Sequence, residues 1–155
     1  MKFYHLGIIA LAAALAFPAL AQTSTDMQIL AQKLKADKKL VVATNMQLSE
    51  AEAKGFWPVY DGYQKDLEAV NKRIVIAIVA YAEAAKKGSV PNDVAKQILD
   101  ESLAIDEEEV KIKRAVVVKL EKVLPGVKVA RYVQIENKIR ALVRIELADN
   151  IPLVK

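Results

Sequence analysis

The sequence predicts an all-α protein, an elongated antiparallel helical hairpin or four-helix bundle with a kink near Pro58. Three observations predict it. Apolar residues recur at spacings near 3.6, and no stretch alternates apolar and polar long enough to read as a confident strand. The chain holds only 5 Gly and 5 Pro among 155 residues, too few for a many-turn all-β fold. Helix start and stop signals also cut the chain into segments of helical length.

The first 21 residues read as an address rather than as structure. Lys2 supplies a positive start, Leu6 to Phe17 an apolar run, and Ala19-Leu20-Ala21 a small-x-small triplet. This is the pattern of a secretory signal peptide. The run is shorter than the ~20 apolar residues that span a bilayer, so no stable membrane span is expected after cleavage near Ala21. The expected organisation is a signal peptide over 1–21 and one all-α domain over 22–155, located in the periplasm or secreted.

The first helix is expected from about Asp26, a helix cap, to Asn45, with Met27, Leu30, Leu34 and Val41 on its apolar face. Lys33, Lys35, Lys38 and Lys39 keep its other side wet. The second carries the clearest signals. Ser49-Glu50-Ala51-Glu52 has the form of a capping box. Behind it, Phe56, Tyr60, Tyr63, Leu67, Val70, Ile74, Ala77 and Tyr81 advance in alternating steps of four and three, a heptad-like seam. Lys86-Lys87-Gly88 ends the helix. Pro58 has no amide hydrogen for the Lys54 carbonyl, so a kink, or a break into two helices, is expected near Gly55–Pro58.

The third helix is expected from Asn92 to Leu124, with Val94, Ile98, Ile105, Ile112, Val116, Leu120 and Val123 on one stripe. Pro125-Gly126 stops it. Val116-Val117-Val118 lowers helix preference and leaves a strand there as the alternative. The fourth runs from Val127 to Ala148, with Tyr132, Ile135, Ile139, Leu142 and Leu147 at helical spacing. Ile151-Pro152-Leu153-Val154 follows as a non-helical tail, apolar enough to fold back onto the bundle. Short connections make neighbouring helices antiparallel, and a leftover apolar stripe favours a homodimer.

Composition excludes several chemistries. The chain has no Cys and a single His, and that residue, His5, lies in the leader. The mature chain therefore lacks a cysteine nucleophile, a thiolate or imidazole metal site, and a Ser-His-Asp triad. Only hard oxygen sites for ions such as calcium or magnesium remain. No metal or other cofactor is expected, and no enzymatic activity. The net charge of +4 is spread among acids rather than gathered in Lys-Arg blocks, which argues against nucleic-acid binding.

Three groups of side chains are candidate sites. Phe56, Trp57, Tyr60 and Tyr63 form the densest aromatic patch. It reads either as a binding surface for an apolar partner or as core beside a kink. Arg131, Gln134, Glu136 and Lys138 form a polar candidate for an anionic or peptide group, or a network tying the fourth helix to the second. Asp106 to Glu109 reads as a solvated acidic face meeting the Lys-rich first helix, since four consecutive helical residues point in different directions. Nothing in the spacing of Glu52, Asp61, Glu68 and Glu136 requires an acid/base couple.

Two groups of residues carry a resemblance. Leu48-Ser49-Glu50-Ala51-Glu52, with Phe56-Trp57-Pro58-Val59-Tyr60 and Tyr63, resembles the Phe-Trp-Pro-x-Tyr signature of a family of uncharacterised exported bacterial helical proteins. Arg131 to Lys138 and the closing Ile151-Pro152-Leu153-Val154 are similar to the latter part of the same family. The resemblance implies a small exported helical protein. Leu48-Ser49-Glu50-Ala51-Glu52 is also similar to the Leu-Thr-x-x-Gln helix start of Spy/CpxP-like periplasmic chaperones, with Ser for Thr and Glu for Gln. That similarity implies a helical cradle for unfolded clients. The expected function is a non-enzymatic periplasmic binding or chaperone-like protein. The alternative is a structural or adaptor protein that dimerises or docks to an envelope partner.

Overall fold

The computed structural model describes residues 37–154. The leader expected over 1–21 and the helix start expected at Asp26 lie outside the described residues. Four helices and no strand occur among the described residues. They are α1 (described from 37 to 46), α2 (Glu50–Ala85), α3 (Asn92–Leu120) and α4 (Gly126–Asn150). The chain divides into two compact units between Val41 and Val42, and the second carries the three long helices.

α2 starts as its sequence dictates. Ser49 Oγ accepts from the Glu52 amide at 3.3 Å, and Glu52 Oε2 accepts from the Ser49 amide at 2.8 Å. Both halves of the capping box are present. The helix then runs 36 residues, about 54 Å at 1.5 Å per residue. It passes through Pro58 without interruption, so the expected break into two helices does not occur. Pro58 and Lys54 are both exposed, and water can serve the carbonyl that Pro58 leaves unbonded. Phe56 and Tyr60, buried on either side of Pro58, clamp the helix across it.

α3 is helical through Val116-Val117-Val118, so the alternative strand is absent. Its regular turns stop at Leu120. The amides of Val123 and Leu124 still bond the Leu120 carbonyl, carrying a final turn toward Pro125. α4 covers the expected span with one or two residues added at each end.

Ion pairs and hydrogen bonds fix the register. Arg73 on α2 grips Glu101 on α3 through two hydrogen bonds of 2.8 and 3.1 Å, while Gly55 near the start of α2 packs against Val123 just past the end of α3, so these helices are antiparallel. Lys113 bonds Asn137 and Arg144 bonds Asp106, so α4 is antiparallel to α3. α4 therefore runs parallel to α2, with Gln64 beside Glu136, Asn71 beside Arg140 and Tyr81 beside Pro152. The result is an up-down-up arrangement of three long helices.

The core is concentrated at one end. Val42 and Met46 of α1, Phe56, Tyr60 and Tyr63 of α2, Val116 and Leu120 of α3, Leu124, and Val129 and Tyr132 of α4 form one buried cluster. Val42, not the expected Val41, supplies the α1 contact, and Val41 is exposed. α2 and α3 approach closely here. A Cβ at Gly55 would lie 2.9 Å from Val123 Cβ, so only glycine fits. α1 turns into the α2 cap through Gln47, which holds a left-handed φ of 48°.

Beyond this end the interior thins. Val70, Tyr81 and Ile105 are its only buried apolar side chains among the described residues. The tail folds back as expected through one contact, Tyr81 Oη donating to the Pro152 carbonyl at 2.9 Å. Leu153 and Val154, however, remain exposed.

Candidate functional site

The aromatic patch is core, which corrects the reading of it as a surface row. Phe56, Tyr60 and Tyr63 are buried, and Trp57 is half-buried against them. The seam of α2 turns these rings inward, where Tyr132 of α4 receives them. The Phe56 and Tyr132 centroids are 5.2 Å apart and near perpendicular. Tyr60 and Tyr63 meet the same ring edge-on at 6.1 and 6.2 Å. Trp57 packs edge-on to Phe56 and Tyr60. Such pairs contribute about 0.5–1.5 kcal/mol each beyond area burial. Burial disfavours the phenolates: the Tyr63 hydroxyl is pushed up to about 12, with the Glu136 carboxylate adding to the effect. Burial raises Tyr60 and Tyr132 further.

A polar layer crosses the bundle next to the rings. The polar candidate on α4 divides there. Glu136 is buried and accepts from Gln64 Nε2 at 3.1 Å, which ties α4 to α2. Arg131, Gln134 and Lys138 are exposed and share no site with it. One turn on, Glu109 of α3 is buried and forms an ion pair with Arg140. Arg144 adds a second contact to Glu109 at 3.0 Å and reaches Asp106 at 2.6 Å. Arg140 also donates to Asn71 Oδ1 at 2.9 Å. Burial, with Arg144 close by, lowers the Arg140 pKa from its ordinary value. The acidic stretch thus meets α4 through Asp106 and Glu109, and Glu109 is interior rather than solvated.

The acids singled out along the chain do not converge. Glu52 caps α2 and pairs with Lys128 at 2.5 Å, and this contact, with the Ser49 amide, holds its carboxyl below the usual range. Glu68 pairs with Lys72 on its own helix. Among the described residues no group of three or more acidic or imidazole side chains is placed to hold a metal ion. No helix among them is long and apolar enough to cross a membrane.

The distal half presents a different surface. Leu99 and Leu103 of α3, and Leu142, Val143 and Ile145 of α4, are exposed. Asp106 marks the edge of α3 that faces α4, and Leu103 and Leu99 lie one and two turns along that edge. On α4, Leu142 and Ile145 are three residues apart and share a side of the helix, while Arg144, the partner of Asp106, points another way. α2 adds Val75, Ile76 and Val79 on its outer side. No protein-family model matches the chain, and no curated protein or solved structure matches it significantly.

The spacing on α4 finds part of the inward face: Tyr132 is buried, Ile135 packs against the core, and Ile139 and Leu147 are half-buried, but Leu142 is 60% exposed, and Val129 and Glu136 are the buried residues it does not mark. α4 is apolar around most of its circumference, so period alone does not choose a face. Opposite charges at seam positions were the available signal. Glu109 lies four residues after Ile105 and three before Ile112, and Arg140 lies four after Glu136.

Proposed function

We propose that the protein is an exported, non-enzymatic helical binding protein that holds apolar segments of a protein client in a chaperone-like manner. The observation that carries this reading is the exposure of Leu99, Leu103, Leu142, Val143 and Ile145 in the distal halves of α3 and α4. Large exposed apolar side chains concentrated in one half of a molecule mark interaction sites. A protein segment fits this surface better than a lipid surface does. Its margin carries both signs, with Lys96, Asp100, Arg144 and Asp149, whereas membrane-surface helices favour a basic face. Export rests on Lys2, the run from Leu6 to Phe17 and Ala19-Leu20-Ala21, and places the protein in the periplasm or outside the cell. The mature chain has neither His nor Cys, in keeping with binding rather than bond-breaking.

The test is light scattering by a thermally or chemically unfolded client, with and without the purified protein. The reading expects slower aggregation with the native chain and little protection from L142K/I145K. Both positions are solvent-facing, so circular dichroism should show an unchanged helix content. Equal protection by the variant, or no protection by either, would remove the basis of the proposal. A second reading, an adaptor that works as a dimer, is favoured by a different face, the outer side of α2.

A further inference from the structure

The outer side of α2 carries a charge pattern that is its own complement. Going from N- to C-terminus, Glu68 and Lys72 come first, then Val75, Ile76 and Val79, then Glu83 and Lys86. At 100° per residue all seven fall within an arc of about 100°, opposite the buried seam. The order is acid, base, apolar, acid, base. Reversed, it is base, acid, apolar, base, acid, so every charge meets its opposite when two copies lie antiparallel.

We propose that this face pairs with the same face of a second copy of the chain, antiparallel about a two-fold axis near Ala77 and Ile78. Glu68 then meets the partner's Lys86, Lys72 meets the partner's Glu83, and Val79 meets the partner's Ile76. A two-fold interface repeats each pair twice. Parallel docking sets acid on acid and base on base, which disfavours it.

The surface is shaped for this contact. A shallow groove on α2 is lined by Glu68, Asn71, Lys72, Val75 and Ile76. In the antiparallel register the partner's Glu83 lies across Lys72 at the centre of the groove, and the partner's Val79 across Ile76 at its end. Ile76 is 68% exposed in the single chain. Lys72 pairs with Glu68 at 3.6 Å and Lys86 with Glu83 at 2.7 Å within the helix, and all four side chains remain widely solvent-accessible. One helix pair spanning roughly 28 Å is a small interface, so the dimer is reversible, with a dissociation constant on the order of micromolar. The pairing does not depend on client binding, which uses α3 and α4, and its readout is oligomeric state rather than aggregation.

The experiment is sedimentation velocity over a concentration series on the native chain, K72E, E83K and an equimolar mixture of the two variants. Each variant alone sets like charges opposite each other at two sites, and each should dimerise at least about ten-fold more weakly. In the mixture both sites are complementary, so association should return to the native level. A native chain that stays monomeric to several hundred micromolar, variants that associate as the native chain does, or a mixture that stays apart would each overturn the proposal. Should a variant misfold, carbodiimide cross-linking of native protein, mixed from light and heavy isotope-labelled preparations, reads the same register. Cross-links between Lys72 of one copy and Glu83 of the other support it. Intermolecular links confined to other helices, or none at all, overturn it.

Discussion

Removing Glu109 should cost more than any other single charge deletion in the bundle. The carboxylate is buried, and its partner Arg140 retains only 19% of its side-chain exposure. In Glu109→Ala the guanidinium keeps one contact, Asn71, and its Nε already finds no acceptor among the described residues. Breaking a buried pair from one side typically costs 3–5 kcal/mol, because the remaining charge stays buried without compensation. Arg144 is 55% exposed, so its contribution to Glu109 is screened and small. We therefore expect a loss of about 3–4 kcal/mol for Glu109→Ala. Arg140→Ala should cost less, about 2–3 kcal/mol, since Glu109 keeps Arg144. Replacing both with leucine should lie within about 1 kcal/mol of the native chain, because it removes both desolvation costs and fills the volume. Urea unfolding followed by circular dichroism measures all four proteins. With a slope near 1.5 kcal/mol per molar, Glu109→Ala moves the midpoint down by about 2–3 M. A shift below about 0.5 M, or a double replacement as damaging as the two single changes combined, would refute the reasoning.

Three other outcomes follow from local geometry. Gly55→Ala should destabilise by about 1–2 kcal/mol despite the better helix propensity of alanine, since the new methyl meets Val123; adding Val123→Ala should recover most of the loss in thermal melts. Gln47→Gly should stabilise by about 0.5–1 kcal/mol, because a left-handed φ of 48° is strained for glutamine and easy for glycine; urea midpoints report it. Tyr63 is held protonated to about 12, above its ordinary value near 10, and the unfolded chain releases that proton first. The stability it contributes is fully present below pH 10 and is lost as pH rises toward 12. Phenolate absorbance should therefore rise together with loss of helix signal in an alkaline titration.

The sequence made α2 and α3 legible because their interiors are marked without ambiguity. Every seam position from Phe56 to Tyr81 is buried or half-buried, and the Ser49–Glu52 cap forms as its spacing requires. Val116 and Leu120 likewise face the core. Pro58 misleads because a local rule weighs one lost hydrogen bond of about 3 kcal/mol, while the aromatic contacts of Phe56 and Tyr60 act across it. α4 misleads for the opposite reason. With apolar residues on nearly every side, its inward face is chosen by where Glu136 and Arg140 find Gln64 and Glu109, which are long-range contacts that no local window contains. The same helix leaves Leu142, expected inside, and Ile145 exposed to solvent.

Hydrogen exchange on the protein, with and without an unfolded client, probes the central claim most directly. Slower exchange on client addition should be confined to backbone amides near 99–106 of α3 and 141–150 of α4, with 50–63 of α2 unchanged. No protection anywhere, or protection centred on the aromatic end, would contradict the assignment of the distal halves of α3 and α4 as the binding surface.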